Sequence, residues 1–271
     1  MDGSDQLNLS GMTVGMVRQL VLGMSDQEQR QIIPLLRTDP RLGVQRLADS
    51  LGQKWAKAAA QEERQRSLRQ HEDNLRKRGY ACVAGLDEAG RGPLAGPVVA
   101  GAVVLPPYYY LPGLDDSKRL TPDQRDELFA RLTAETDWAV AVMGVTQIEV
   151  HNIQWATHQA MRQALLRLRS VPDYVLVDGF PIPKLHLPQE GVIKGDQRCN
   201  CIAAASIVAK VVRDRLMVEY DGVYPQYGFA RHKGYATAEH IARIRAHGLC
   251  PLHRRSFCQA LLERAVDGQV G

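Results

Sequence analysis

The segment "GLDEAGRGPLAGPVVAGAVVL", from Gly85 to Leu105, restricts the possible folds more than any other part of this chain. Two short, β-branched, apolar runs, "ACVAGLDE" and "PVVAGAVVL", are joined through a glycine-rich turn. Such runs suit neighbouring strands buried in a sheet. The first run ends on adjacent carboxylates, Asp87 and Glu88, and the chain then turns on Gly90-Arg91-Gly92. Neighbouring carboxylates repel each other and glycines offer no packing, so something further must offset the arrangement.

Downstream, "DWAVAVMGVTQ", "DYVLVDG" and "GVIKGD" read as third, fourth and fifth strands. "EVHNIQWATHQAMRQALLRLRS" reads as a helix with Ile153, Ala156, Ala160, Ala164 and Leu168 along one face. "NCIAAASIVAKVVRDRLMVEY" is a long helix, and "TAEHIARIRAHG" another, capped by Thr237 and closed by Gly248. Strands in a run, then alternating with helices, predict a mixed α/β sheet covered by helices.

The grammar changes near Gly79. Upstream there is no convincing strand. Ser25 and Glu28 form a capping box opening "SDQEQRQIIPLLR", and after Pro40 apolar residues recur at Leu47, Leu51 and Trp55. The spacing predicts a helical extension over residues 1–79 and an α/β domain over 80–271 that ends in helices. From Lys54 to Arg78 there are eight basic and four acidic residues. That stretch suits a solvated helix face with charge pairs, or a basic arm gripping a nucleic-acid backbone.

With 45% apolar and 24% charged residues the chain has the composition of a globular protein. Its net charge of +4 permits a polyanionic partner without demanding one. No apolar run approaches the ~18 residues of a membrane span. The start, "MDGSDQLNLS", is acidic where a secretory leader would be positive, so no leader is expected. Five irregularly spaced cysteines argue for a reducing compartment, and a cytoplasmic location is expected.

Asp87 closes "VAGLD", Asp178 closes "YVLVD" and Asp196 closes "VIKGD". In open α/β sheets, ligand sites gather at the carboxyl ends of strands. If these strands are neighbours, three or four carboxylates meet at one edge and raise one another's pKa. Divalent cations remove that penalty, and an oxygen-only set without clustered His or Cys selects Mg²⁺ or Mn²⁺ over zinc. Successive strand residues point to opposite faces. Hence either the strand breaks at Glu88, which Gly90 and Gly92 would ease, or Glu88 contributes its backbone carbonyl. Each acid has a plainer reading: Asp178 and Asp196 as turn or cap formers, and Asp214, which lies between two arginines on a helix, as an ion-pair partner. Three strand ends sharing one pattern outweigh those readings.

"GRGPLA" also fits the loose dinucleotide pattern G-x-G-x-x-G/A, with Asp115 and Asp116 downstream, but a pyrophosphate there would face Asp87 and Glu88. No G-K-[ST] follows, which excludes a P-loop. Small residues let a backbone approach a ligand closely, and the Arg91 fork suits phosphate. Such a loop can read a ribose 2′-hydroxyl, the group that distinguishes RNA from DNA. Among lesser signals, Cys250, His253 and Cys258 read as a turn more simply than as zinc ligands. Cys199 and Cys201 read as packed thiols, Tyr108-Tyr109-Tyr110 as an exposed turn, and Arg231, His232 and Lys233 as a phosphate-contacting basic loop.

"GLDEAGRGPLAGPVVAGAVVL", "LDDSKRL", "YVLVDG", "IKGDQ", "AAASIVAKVVRDRLM", "YPQYGFARHKGYAT" and "HRRSF", in unbroken order over about residues 80 to 257, resemble bacterial ribonuclease HII. The N-terminal extension resembles the one carried by some bacterial members. The resemblance implies a ribonuclease H-like five-stranded mixed sheet flanked by helices. It implies hydrolysis of the RNA strand of RNA–DNA hybrids and incision at single ribonucleotides in duplex DNA. The family's acids map onto Asp87, Glu88, Asp178 and Asp196, with Asp87, Glu88 and Asp178 as metal ligands in a two-metal site for Mn²⁺ or Mg²⁺. Its substrate contacts map onto Gly90, Arg91 and Gly92 for the 2′-hydroxyl, Lys118 for a backbone phosphate, and Tyr235 for the sugar beside the ribonucleotide. The expected partner is the nucleic-acid duplex, with the protein a monomer. Two other functions fit parts of the sequence: a nuclease or strand-transfer enzyme lacking the ribose-reading loop, and a non-catalytic nucleic-acid-binding protein gripping through its basic N-terminal helices.

Overall fold

The structure is a computed structural model describing residues 9–259; most of the acidic start (1–8) and the end of the expected C-terminal helices (260–271) lie outside the described residues. It divides into two compact units, Met1–Arg64 and Gln65–Gly271.

In the smaller unit, α1 (Val14–Leu22) and α2 (Asp26–Arg37) precede the first half of α3 (Leu42–Lys77). Thr13 caps α1, and the Ser25–Glu28 capping box opens α2 as its sequence predicts. Val17, Val21, Ile32, Leu36, Val44, Ala48 and Leu51 make a separate core, with Leu47 and Trp55 packed against it. The division into units falls inside α3, earlier than the composition break at Gly79. The reason is the second half of α3. Gln65 Nε2 donates to the Leu114 carbonyl at 3.0 Å, Glu72 accepts from the Cys201 N–H at 2.7 Å, and Leu75 lies in the larger unit's core.

The larger unit holds a five-stranded sheet in the order β3-β2-β1-β4-β5. Its strands are β1 (Val83–Ala89), β2 (Val98–Val104), β3 (Asp137–Met143), β4 (Tyr174–Asp178) and β5 (Gln189–Val192). The β1–β2 and β2–β3 pairs are antiparallel, β1–β4 and β4–β5 parallel. One face packs on α4 (Pro122–Glu135) and α7 (Asn200–Val223), the other on α6 (Ile153–Leu166). The expected single helix over 149–170 is two, α5 (Val145–His151) and α6, because Asn152 takes φ 77° and caps α6 through its side chain. Ala156, Ala160, Ala164 and Leu168 line the buried face as predicted. The fifth strand ends at Val192 rather than at Asp196. Lys194 adopts φ 55°, a left-handed conformation no strand accommodates, and the chain enters a 3₁₀ turn, Gly195–Gln197. Beyond α7 lie α8 (Phe229–His232) and α9 (Ala238–His247), the latter capped by Thr237 and ended by Gly248.

Helix α7 lies close on the sheet. A Cβ at Gly85 would sit 2.2 Å from the Cys201 carbonyl carbon, and one at Gly101 2.5 Å from the Ala205 oxygen. Only glycine lets the alanine-rich face of α7 come down onto β1 and β2. Its first turn has no side-chain cap from Cys199; Glu72 of α3 supplies the acceptor instead.

Two truncations test this division. A chain starting at Gln65 should keep a cooperative unfolding transition. One starting at Tyr80 loses the Glu72 cap, about 1 kcal/mol, and Leu75 burial, about 1.5–3 kcal/mol, and should unfold at distinctly lower urea. Equal midpoints would show that the second half of α3 does not stabilise the sheet.

Candidate active site

Alternation along β1 puts Val83, Gly85 and Asp87 on the α7 face; along β4 it puts Tyr174, Leu176 and Asp178 there. Leu86 pairs with Val177 in the parallel register, so Asp87 and Asp178 stand side by side one step further on. Asp178 ends its strand, and Asp87 stands just past the last residue of β1 that pairs with β4, two residues before β1 itself ends. Asp178 Oδ1 accepts from the Gly195 N–H at 2.7 Å, which ties β4 to the 3₁₀ turn carrying Asp196. Asp196 thus reaches the same edge from a turn after the strand, not from a strand end as its sequence suggests. Lys118, largely exposed, points its Nζ at Asp196 Oδ2 from 3.4 Å.

The strand does not break at Glu88: β1 continues to Ala89, with Glu88 opposite Ala100. The chain departs from β geometry at Gly90, φ 97°. Glu88 therefore faces opposite to Asp87, with Arg91 Nη1 3.4 Å from its Oε1.

The electrostatics are those of a crowded anionic edge. Burial, then the charges of Glu88 and Asp178, push the Asp87 carboxyl well above the usual range. Burial raises Glu88, with Asp178 adding and Arg91 opposing. Burial and then Asp116 raise Asp196, against Lys118. For the Lys118 ammonium burial works downward, but Asp196, Asp116 and Asp87 outweigh it and raise it. Oxygen donors that disfavour one another's ionisation are a setting a hard divalent cation relieves. Among the described residues no three His, Cys, Asp or Glu side chains converge closely enough to hold a metal ion by themselves. A cation held by these carboxylates would complete its shell with water and substrate oxygens, as Mg²⁺ commonly does.

A Cβ at Gly90 would lie 2.0 Å from Arg213 Nε, whereas one at Gly92 would enter open space. Two buried guanidiniums organise the loop from behind. Arg254 makes four hydrogen bonds, donating to the carbonyls of Gly90, Arg91 and, twice, Gly96. Arg213 donates to those of Pro97 and Ala95. Burial lowers the pKa of both, that of Arg254 to about 9. Gly234 docks on the same stretch, its carbonyl accepting from the Leu94 N–H at 2.9 Å. Tyr235 follows, half exposed, with its ring centroid 5.5 Å from Lys210 Nζ and 5.7 Å from Arg213 Cζ. Beside it a cavity of about 700 Å³ is lined by Lys210, Arg215, Arg231 and Lys233, among others.

Several sequence readings change here. The glycine loop leads from β1 into β2, not into a helix, which removes the dinucleotide fingerprint. Asp214 is an ion-pair partner as read, and the partner is Lys210 at 2.8 Å, one helical turn away. Of the basic loop, His232 is buried and Arg231 pairs with Glu239. Tyr109 is partly packed and donates to Glu135, while Tyr108 and Tyr110 are exposed. Cys199 and Cys201 are buried free thiols, as read. The sequence reading missed Asp116, which accepts from the Lys118 N–H and Gln197 Nε2, and the Ser117–Ser206 hydroxyl pair at 2.7 Å. Ser206 in turn hydrogen-bonds the Asp87 carboxyl and works to lower its pKa. Arg213 and Arg254 were also missed. "DDSK" and "HRRSF" were the available signals for Asp116, Ser117 and Arg254.

A family model described as Ribonuclease HII matches residues 84–260, and one described as Ribonuclease HII N-terminal domain matches residues 13–76. A ribonuclease HII of Geobacillus kaustophilus is 50% identical over 224 residues, 82% of this chain and 86% of that protein. One from Pelotomaculum thermopropionicum is 47% identical over 252 residues, 92% of this chain and 94% of that one. Among solved structures, ribonuclease H2 from Pyrococcus horikoshii superimposes with a TM-score of 0.56 at 29% identity, over 68% of this chain and 98% of that one.

If the carboxylates hold a cation, Mg²⁺ or Mn²⁺ should raise the melting temperature; at about 100 times its Kd a bound ion stabilises by about 2.7 kcal/mol. Asp87→Asn and Asp178→Asn should melt cooperatively but lose most of that gain. A full gain in both variants would remove these residues from the ion site.

Proposed function

The chain belongs to the ribonuclease HII family, metal-dependent endoribonucleases of the RNA strand in RNA–DNA hybrids, and we propose that it also incises duplex DNA on the 5′ side of a single embedded ribonucleotide. The observation that carries the proposal is the pairing of two features at one sheet edge. Asp87 and Asp178 stand together towards the carboxyl ends of parallel strands, and the turn leaving β1 holds a glycine, Gly92, for which the chain's own packing gives no reason.

In this reading Asp87, Glu88 and Asp178 hold two Mg²⁺ or Mn²⁺ ions and Asp196 completes the set. Bound there, such ions supply a nucleophilic water at neutral pH and offset charge on the leaving oxygen. Glu88 contributes its backbone carbonyl or a carboxylate turned back from the opposite face; the unbroken strand favours the carbonyl. Gly90, Arg91 and Gly92 approach the ribose and read its 2′-hydroxyl, which serves as an address and not as the attacking group. Lys118, exposed beyond its weak pairing with Asp196, binds a backbone phosphate. Tyr235 packs on the neighbouring sugar, and Lys210, Arg215 and Lys233 follow the strand. Water attack leaves a 3′-hydroxyl and a 5′-phosphate.

Three substrates separate this reading from its rivals: a hybrid, a duplex with one ribonucleotide and an all-DNA duplex, each with and without Mg²⁺ or Mn²⁺. Cleavage of the first two alone, only with metal, is expected. Asp87→Asn and Asp178→Asn should nearly abolish it, and Tyr235→Ala should lose about 1–3 kcal/mol of transition-state stabilisation. Cutting of all-DNA duplex would point to a nuclease without ribose selection. Tight binding without cutting would point to a non-catalytic protein.

A further inference from the structure

Behind Tyr235 lies a buried chain of hydrogen bonds whose proton positions can be read from its two ends. The Cys250 N–H donates to His253 Nδ1 at 2.9 Å. A backbone amide cannot accept, so His253 carries its proton on Nε2. That proton points at His240 Nε2, 3.1 Å away, which must therefore accept. His240 is left with its proton on Nδ1 and donates it to the Tyr235 carbonyl at 2.9 Å. Protonating either ring would set two N–H groups against each other or against the Cys250 amide. One neutral arrangement alone satisfies every partner.

The surroundings reinforce it. His232 stacks on His240, centroids 4.2 Å apart, and is itself fixed, accepting from the Gly234 N–H and donating to the Tyr227 carbonyl. Phe229 closes another side of His240, edge-on at 5.6 Å. Burial holds His240 and His253 down at about 4, outweighing the hydrogen bond from His240 to the Tyr235 carbonyl, which works upward, so both stay neutral at physiological pH.

The far end of the relay touches the other half of the proposed ribose-reading site. His253 bridges to Ala95, and the next residue, Arg254, holds the carbonyls of Gly90, Arg91 and Gly96. Consecutive residues thus grip two loops: one reaches Tyr235 through His240, the other the glycine turn. Resting on the sugar-packing role given above to Tyr235, we propose that His253 and His240 are positioning residues that hold Tyr235 at a fixed distance from the Gly90–Gly92 turn. They act through the Tyr235 backbone and touch no substrate.

A double-mutant cycle tests this, read as kcat/KM on a duplex with a single ribonucleotide. His253→Asn keeps an acceptor for the Cys250 amide but is too short to reach His240; His253→Gln places an N–H where Nε2 was. Removing a stacking contact costs about 5- to 150-fold. His253→Asn should lose a comparable part of that and His253→Gln should recover most of it. Combined with Tyr235→Ala, His253→Asn should add little, because the residue it positions is gone. Losses that multiply in the double variant would show a general structural role and overturn the relay. So would a His253→Asn protein with wild-type kcat/KM. If Tyr235→Ala alone is silent, the sugar-packing reading falls and takes the relay's purpose with it. Should His253→Asn fail to fold, His240→Asn, which keeps the donor to Tyr235 and cuts the link to His253, runs the same cycle with the same outcomes.

Discussion

Everything at the sheet edge depends on how closely α7 lies on β1 and β2. Gly85 and Gly101 remove the two side chains that would hold the helix away, and the small residues from Ala203 to Ala205 fill the contact. At native packing density an added methyl group displaces backbone, not solvent. The close seating brings Ser206 to Asp87 and Ser117, and carries Arg213, two turns further along α7, under Gly90. A helix one ångström higher would leave the strand ends intact and the loop after β1 unsupported.

Opposite charges are then segregated across that edge. The acids gather towards the carboxyl ends of the parallel strands, where burial first, and the neighbouring charge of Asp178 after it, raise Asp87 and Glu88. Behind the adjoining loop lie two guanidiniums whose partners are carbonyls, not carboxylates. Neither group is at its electrostatic optimum within the protein alone. Cations suit the first; the second is fully buried and holds the carbonyls of the loop, so its positive charge supports the loop from within.

Much of this was legible in the sequence because it lies in local pattern. The buried β1 and β2 runs, the caps at Ser25 and Thr237 and the length of α7 follow from side-chain period and cap chemistry over a few residues. The acids could be gathered by noticing that Asp87 and Asp178 each end an apolar run. What failed was decided by single dihedrals or by distant partners. Asn152 splits a helix and Lys194 ends a strand through left-handed backbones that their residue types do not announce. Glu72, Arg213 and Arg254 act across more than a hundred positions of chain, and no local pattern signals a buried charge whose partner is backbone.

The two glycines of the turn answer to different masters. At Gly90 any side chain collides with an arginine of the same molecule, and the residue's φ of 97° already excludes most alternatives. At Gly92 the backbone is ordinary and the space beyond it vacant. Replacing the first should be felt as a folding defect, whatever is in solution. Tolerance at the second is set by the shape of the guest, so the pair separates self-consistency from recognition within three residues.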